Sequence, residues 1–173
     1  MAATDPAAVA VVSDAGPLIH LDELGCIDLL ADFAPLLVPE TVWREVHLHR
    51  PSALAHSGVN FVRISPSSSP RAAELEALAR LLVLHTGELE ALQVALEHGG
   101  SLLLTDDTAA RLAAGNLGIP VHGTIGVVVR SIRRHQRTAT QVLAVFRSLP
   151  QQSTLHLKRS LLDAVIREVE RSI

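Results

Sequence analysis

The sequence predicts an α/β fold built on a parallel sheet. Short apolar runs without polar alternation, such as residues 9–12 and 102–104, are typical of strands covered on both faces. Segments with helical spacing separate these runs, and strands that alternate with helices usually form a parallel sheet. The chain has 173 residues, of which 48% are hydrophobic, and this suffices for one domain with a sizeable core.

The first strand delivers a carboxylate to its own carboxyl end. Asp14 follows the apolar run, and Gly16 and Pro17 end the stretch, with Pro17 expected as the first residue of a helix. In parallel sheets the functional crevice lies outside the carboxyl ends of the strands, so Asp14 is a candidate functional residue. The alternative is that Asp14 only caps the next helix.

Periodicity and turn residues place the remaining elements. Further strands are predicted at 34–38, 60–64, 101–105 and 119–122. Helices are predicted at 17–30 with a break at Gly25, then at 39–49, 71–84, 87–98, 108–114, 124–132, 138–149 and 153–173. Thr86 is the expected N-cap of its helix, Pro150 is expected to end another, and residues 65–70 form a loop rich in Ser and Pro. We expect a single domain over 1–173, with a core at about 8–135 and C-terminal helices at 138–173 that pack on it or on a partner.

Composition excludes several classes. The net charge of −3 gives no global basic field, and the single cysteine, Cys26, allows no internal disulfide. The N-terminus lacks the positive charge of a signal peptide, and no apolar run could cross a bilayer, so we expect a cytoplasmic protein without a membrane partner. Aromatic residues are few, which argues against an extended base-stacking platform. The nine histidines show no zinc-binding spacing.

Two strands end in acids, at Asp14 and at Asp106–Asp107. Adjacent parallel strands would bring these carboxylates together, and clustered anions need protons or cations as compensation. Glu45, beside the apolar face of its helix, and Glu88, in the first turn behind Gly87, are placed to join them. Oxygen ligands suit Mg²⁺ or Mn²⁺, and such a cluster suits metal-assisted phosphodiester cleavage.

Each candidate also has a purely structural interpretation. Glu45 could be the solvated flank of an amphipathic helix, Glu88 a favourable charge at a helix N-terminus, and Asp107 an N-cap. Ser13 and Thr105 could hydrogen-bond a ligand carboxylate or metal-bound water, or simply finish their strands. Glu90 is interpreted as a surface residue.

One basic run stands out near the C-terminal end of the core. Its members are Arg130, Arg133, Arg134 and Arg137. They would form either a phosphate-contacting patch for RNA or a solvated charged face, which is the default for such a run.

The sequence resembles the PIN-domain nucleases over residues 9–129, most closely the branch related to VapC-type toxins of toxin–antitoxin systems. The markers are the segments 13–18, 38–46, 87–91 and 103–107, the last followed by Ala110–Arg111. Their order and spacing together carry the resemblance.

The resemblance implies a three-layer α/β/α sandwich around a parallel sheet. It places the four family acids on Asp14, Glu45, Glu88 and Asp106, with Asp107 as a further ligand or a supporting group. It implies an Mg²⁺- or Mn²⁺-dependent ribonuclease, often a homodimer, held silent by a small antitoxin protein. Glu88 departs from the family pattern, in which the third acid is commonly Asp.

The function predicted from these observations is a metal-dependent endoribonuclease that acts as the toxin of a toxin–antitoxin pair. The alternative is a catalytically weak or inactive PIN-like module that binds RNA or protein. A receiver-type phosphoacceptor domain ranks low, because it requires a well-placed lysine and the only lysine, Lys158, falls in the terminal helix.

Overall fold

A computed structural model describes residues 10–68, 71–99 and 101–172. Within these residues, five parallel strands form one sheet in the order β3-β2-β1-β4-β5. The strands are β1 (Val11–Ser13), β2 (Leu36–Pro39), β3 (Phe61–Ile64), β4 (Leu102–Leu104) and β5 (Val121–His122). Residue 9, predicted to belong to the first strand, and residue 8, predicted to begin the core, lie outside the described residues, as do parts of the 65–70 loop.

Helices connect the strands and extend the C-terminal part of the chain. They are α1 (Ala15–Glu23), α2 (Glu40–His49), α3 (Pro51–Leu54), α4 (Ala72–Leu82), α5 (Thr86–Glu97), α6 (Thr108–Leu117), α7 (Thr124–Arg133), α8 (Ala139–Gln152) and α9 (Arg159–Glu170). A 3-10 helix at Ile27–Asp32 supplies the second of the two short helical segments predicted around Gly25. None of the helices in the described ranges is both long and apolar enough to cross a bilayer.

Successive residues of the strands face opposite helical layers. Val11 packs in a cluster that also contains residues of α1, α2, α7, α8 and α9, whereas Val12 packs against residues of α4, α5 and α6. Leu36 and Leu37 divide between the same two clusters. Both faces of the sheet are therefore covered by helices, and the predicted three-layer α/β/α sandwich is confirmed.

The direction of the chain across the sheet reverses at β1. The chain passes from β1 outward to β2 and β3, then returns to place β4 on the other side of β1. Ser13 is in register with Leu104, and the Asp14 amide donates to the Leu104 carbonyl at 2.9 Å. The acids that follow β1 and β4 therefore emerge side by side at the point where strand order reverses, which is where open α/β sheets bind ligands.

Two predicted helix starts are shifted in the structure. The first helix begins at Ala15 with Asp14 as N-cap, so Pro17 lies in the first turn instead of beginning the helix. The helix predicted to begin behind Thr86 has His85 as its N-cap, because Glu88 closes a capping box with His85 and leaves Thr86 as the first helical residue.

Two predictions near the C-terminus are wrong. Pro150 does not end α8; it lies in the last turn, and the helix closes at Gln152. The last helix does not begin at residue 153, because Glu23 of α1 accepts hydrogen bonds from Ser153 and Thr154 and holds that segment extended. Helix α9 therefore starts only at Arg159, and its apolar side contributes Leu162 and Val169 to the core cluster that includes β1.

Two helices end on residues in the left-handed region. Helix α6 ends at Gly118, with φ 72°, where glycine carries no penalty. Helix α4 ends at Val83, with φ 56° and ψ 50°, where a β-branched residue is strained. Val83 is 77% exposed, so its side chain gains little from packing there.

We predict that Val83→Gly raises the free energy of unfolding by about 1 kcal/mol, because it removes the steric penalty of the left-handed conformation. Urea denaturation, followed by circular dichroism, measures the shift in midpoint at constant m value.

Gly118→Ala is the reciprocal control. A Cβ atom at Gly118 would meet nothing within 4 Å, so only the backbone conformation opposes it, and stability should fall by about 1 kcal/mol. A Val83→Gly protein no more stable than the wild type would contradict the strain argument.

Candidate active site

Asp14 lines a pocket at the carboxyl end of the sheet. We call it the acidic pocket, because Glu45, Glu88 and Asp107 line it too. Its Oδ1 accepts a hydrogen bond from the Ala15 amide at 2.8 Å, and its Oδ2 accepts one from the Thr105 hydroxyl at 3.0 Å. The residue is buried, with 7% of its surface exposed. Asp14 is thus both the N-cap of α1 and a lining residue of the pocket, so the two interpretations offered by the sequence coexist.

The surroundings of Asp14 oppose its ionisation. Burial raises the pKa of this carboxyl from an ordinary 3.8 to about 6, although the hydrogen bonds from Ala15 and Thr105 act in the opposite direction. The negative charges of Glu88 and Glu45 make a smaller contribution to the raised pKa. A cation bound beside Asp14 would relieve both the repulsion and the cost of burying the charge.

The two hydroxyl residues at the strand ends take different roles. Thr105 donates to the Asp14 carboxylate and accepts from the Asp107 amide at 3.2 Å, so it joins the acids of both strands. Ser13 is fully buried and donates to the main-chain carbonyl of Asp14, not to a carboxylate.

Glu45 reaches the pocket from α2 across a glycine of α5. A Cβ atom built on Gly87 would lie 3.5 Å from Glu45 Oε2 and 3.9 Å from Asp14 Oδ1. Both carboxylates therefore approach the same point on the first turn of α5, in the space that a side chain would fill. Gly87 thus leaves this point free of a side chain, although a methyl group there would make only ordinary van der Waals contacts.

Glu88 lines the pocket while also completing the capping box of α5. Its Oε2 accepts from the His85 amide at 2.8 Å, and its Oε1 lies 3.3 Å from Nδ1 of His85. The Glu88 side chain is only 12% exposed. The structural interpretation of this acid, a charge at a helix N-terminus, therefore describes its present contacts, although the residue also borders the pocket.

The two consecutive acids after β4 face different neighbours. Asp107 lines the pocket with Asp14, Glu45 and Glu88, and its Oδ1 also caps α6 by accepting from the Ala110 amide at 2.8 Å. It thus fulfils the N-cap interpretation and still borders the candidate site.

Asp106 is instead surrounded by hydrogen-bond donors. Its Oδ1 accepts from the Thr124 amide at 2.7 Å, and its Oδ2 accepts from the Thr124 hydroxyl at 2.6 Å and lies 2.8 Å from His20 Nδ1. Burial raises the pKa of Asp106, but the hydrogen bonds from His20 and Thr124 outweigh this and hold it below its ordinary value. Asp106 adjoins the pocket through Gly16, where a Cβ atom would lie 3.6 Å from Asp106 Oδ2.

Glu90 fixes the position of α2 relative to α5. Its two carboxylate oxygens accept from the amide and the hydroxyl of Thr41, at 2.9 and 2.6 Å, in the first turn of α2. Interpreting Glu90 as a surface residue misses this contact, which sets the spacing of the helices that carry Glu45 and Glu88.

The donor set of the pocket fits a hard divalent cation, since its acidic groups supply oxygen ligands only. In the present side-chain conformations, however, no three His, Cys, Asp or Glu side chains among residues 10–68, 71–99 and 101–172 converge closely enough to hold one ion. Because Glu88 is engaged with His85, its carboxylate has to turn from the capping box to reach a shared ligand point.

Three arginines of the basic run form ion pairs within the protein. Arg130 and Arg134 bind Asp32, each at 2.7 Å, and Arg137 binds Asp28 at 2.8 Å. These pairs tie the end of α7 and the residues that follow it to the 3-10 helix, and Arg130 also lies over the Phe33 ring, 4.5 Å from its centroid. The remaining member of the run, Arg133, is exposed and forms no ion pair within the described residues.

The sandwich and its strand-end acids define an α/β domain with a candidate hydrolytic centre. A family model described as a PIN domain matches residues 10–171, and the chain therefore belongs to the PIN-domain family. Searches of curated proteins and of solved structures found no significant match. PIN domains are generally nucleases that act on nucleic acids and use divalent metal ions, so the family supports a hydrolase role here.

Sequence reasoning missed three residues of this region. His20 and Thr124 contact Asp106, and His85 borders the pocket. His20 lies one helical turn after Gly16. In a helix that begins directly after Asp14, this spacing puts His20 on the same side as Gly16, and it could have indicated that His20 lies near the site. Thr124 gave no signal, because its contact depends on how α7 packs beside β4.

The raised pKa of Asp14 predicts a pH-dependent stability difference between the wild type and Asp14→Asn. The folded protein holds this proton more tightly than the unfolded chain, so wild-type stability falls as pH rises from about 4 to about 6. Asparagine carries no titrating charge, and it can accept only one of the two hydrogen bonds that Asp14 accepts from Ala15 and Thr105, a loss that applies at both pH values. In EDTA, Asp14→Asn should gain up to roughly 3 kcal/mol over the wild type between pH 4 and pH 7.5.

Urea denaturation at the two pH values measures this difference. Asp163→Asn, at a partly exposed position of α9, is the matched control and should show the same effect at both values. An Asp14→Asn protein destabilised equally at pH 4 and pH 7.5 would show that burial does not oppose ionisation of Asp14.

Proposed function

We propose that this protein is a divalent-metal-dependent endoribonuclease that hydrolyses RNA phosphodiester bonds at the acidic pocket. The observation that carries the proposal is that Asp14, Glu45, Glu88 and Asp107 all line one pocket at the strand-order reversal. The membership of the chain in the PIN-domain family supports nuclease chemistry there.

Asp14, Glu45, Glu88 and one or both of Asp106 and Asp107 would hold one or two Mg²⁺ or Mn²⁺ ions. Such an ion, when bound, lowers the pKa of a water ligand and stabilises negative charge that develops on the phosphate. The side chains themselves bind and orient: Thr105 fixes the Asp14 carboxylate, and Glu90 holds α2 against α5.

The roles of Asp106 and Asp107 form a distinct part of the proposal. The sequence favours Asp106 as the principal ligand, whereas the position of Asp107 on the pocket supports a direct role for that residue. The contacts of Asp106 with His20 and Thr124 support a role in joining α1, β4 and α7. Both acids are tested below.

We further propose that the protein is the toxin of a toxin–antitoxin pair, acts as a homodimer, and is silenced by a small antitoxin protein. The resemblance of segments 13–18 and 38–46 to the VapC-related branch supports this role. Induced expression of the wild type in a bacterial host should then arrest growth, and Asp14→Asn should relieve the arrest.

A second candidate function is a PIN-like module that binds RNA or protein without cutting. The engagement of Glu88 in its capping box favours this alternative, because an acid that serves as a cap contributes less to an ion site. In that case Asp14→Asn would leave both partner binding and the cellular effect unchanged.

Cleavage assays decide between the two. Wild-type protein should cleave single-stranded RNA with Mg²⁺ or Mn²⁺ and not with EDTA, and Asp14→Asn, purified in parallel, should lose at least about 100-fold in rate, since loss of groups that merely support metal ligands costs 10- to 100-fold. Gel analysis of end-labelled RNA gives the rates. Equal cleavage by both preparations would indicate a contaminating nuclease and remove the enzyme claim.

Asp107→Asn and Asp106→Asn form a matched pair on the same strand end. If Asp107 is the ligand, its substitution should lower Mn²⁺ affinity in calorimetric titration with little change in melting temperature. Asp106→Asn should mainly lower the melting temperature, because asparagine disturbs the contacts with His20 and Thr124. The reverse pattern would restore Asp106 as the principal ligand.

Gly87→Ala separates stability from ion binding. Alanine favours helix over glycine by about 1 kcal/mol, and the added methyl would make ordinary contacts of 3.4 Å with Val42 and 3.5 Å with Glu45. The protein should therefore remain as stable as the wild type or become more so.

The same methyl group fills the space between Glu45 and Asp14, so Mn²⁺ affinity and cleavage rate should fall by about 10-fold or more, the loss typical when groups around a metal ligand are disturbed. Gly115→Ala, inside α6 with open space around its Cβ position, is the control and should leave both unchanged. Unaltered Mn²⁺ binding by Gly87→Ala would show that the ion, if any, binds elsewhere.

A further inference from the structure

Helix α2 borders two more cavities beyond the acidic pocket. One, of about 470 Å³, is lined by Thr41, Arg44, Glu45, Leu48, His49 and Thr86. The next, of about 460 Å³, is lined by Trp43, Arg44, His47, Leu48 and Arg63. Glu45 is shared with the acidic pocket, and Arg44 and Leu48 are shared by the two outer cavities, so the three lie side by side along α2.

The second of these cavities, lined by Trp43 and called here the Trp43 groove, is apolar with a cationic rim. Trp43 is half-buried, and the Arg63 guanidinium lies over its ring, 5.7 Å from the centroid. Leu48 is 77% exposed beside them. Bases pack on aromatic rings and on guanidinium planes alike, so these groups together suit a nucleobase.

The charge of the groove is complementary to a phosphate backbone. Arg63 forms a two-pronged pair with Glu40, and Arg44 lies 3.5 Å from the same carboxylate. Two guanidinium groups thus share one acid, which leaves one positive charge in excess. Glu45, at the boundary with the acidic pocket, is the only acid that lines either outer cavity in the described part of the chain.

We propose that the Trp43 groove is a substrate subsite that binds one nucleotide of single-stranded RNA beside the scissile bond. The base packs against Trp43 and Leu48, and the phosphates pair with Arg44 and Arg63. This inference rests on the proposed function, because it assumes that the acidic pocket receives the scissile phosphodiester. The small number of aromatic residues argues against an extended platform on which several bases stack, but a single nucleotide needs only one ring.

Trp43 provides a direct optical probe, since the chain has one tryptophan and no tyrosine. Full-length Asp14→Asn protein is titrated with a short single-stranded oligouridine RNA, and tryptophan emission is recorded. Stacking predicts saturable quenching. An abasic ribose-phosphate strand of equal length, which offers phosphates without bases, should bind more weakly and should not quench.

Substitutions then test the contributing groups by fluorescence anisotropy with labelled RNA, in the same Asp14→Asn background. Trp43→Ala should weaken binding roughly 5- to 100-fold, as loss of one stacked base does, and Trp43→Phe should recover most of it. Because Trp43 also packs against the core, melting curves accompany these variants.

Arg44→Ala tests the groove without disturbing the core. Arg159→Ala is its matched control, since Arg159 likewise lies 3.5 Å from an acid one turn away but on α9. Arg44→Ala should weaken binding several-fold and reduce the slope of log Kd against log salt by about 1, as loss of one phosphate contact does. Arg159→Ala should change neither.

Three results would overturn the inference. RNA that binds and is cleaved by the wild type without quenching Trp43 leaves the proposed function intact and removes the subsite. An emission that shifts to the blue with rising protein concentration, and is then insensitive to RNA, shows that a second copy covers the groove. Equal effects of Arg44→Ala and Arg159→Ala show that Arg44 makes no specific phosphate contact, and they remove the groove from RNA binding. Quenching with no cleavage by the wild type would instead support the subsite and count against the nuclease.

Discussion

The buried carboxylate of Asp14 is the constraint on which the rest of the site depends. It emerges from β1 beside β4 because Ser13 pairs with Leu104, and the Thr105 hydroxyl then binds it from the neighbouring strand. Burial opposes ionisation of this carboxyl, so the fold holds Asp14 where its charged form is disfavoured. Local instability of this kind is common where a protein binds a charged ligand, since the ligand supplies the missing compensation.

The helices around this acid are positioned by contacts between side chains of different elements. Helix α5 places Gly87 in its first turn, where Glu45 and Asp14 both lie close to the Cβ position of that residue. The Glu90–Thr41 contact holds α2 against α5. On the other side, Asp106 joins α1 to α7 through His20 and Thr124. The pocket is thus a product of helix packing as much as of the acids themselves.

Much of the fold could be read from the sequence, because buried parallel strands and amphipathic helices leave distinct patterns. The strand ends at Asp14 and Asp106–Asp107 were located in this way, and so were the two helices that carry Glu45 and Glu88. The predictions that were wrong concern residues held by contacts between distant segments of the chain. The extended segment before α9 is held by Glu23, 130 residues away from Ser153, and no local pattern announces that contact.

The orientation of the acids after β4 was beyond sequence reasoning for a different reason. Asp106 and Asp107 are adjacent, and the step of one residue turns a side chain towards another neighbour. Which of them faces the pocket depends on the turn between β4 and α6, where Asp107 caps the helix. Propensity favours an acid at both positions and does not distinguish them.

The two hydrogen bonds between Glu90 and Thr41 have a consequence for how such a site can change in evolution. Two hydrogen bonds outside the pocket help to hold the helices that carry Glu45 and Glu88, so a substitution at Glu90 or Thr41 can widen or narrow the pocket while the acids that line it are retained. Proteins descended from this one can therefore diverge in ion preference or in catalytic rate through positions that a comparison of the pocket acids alone would overlook.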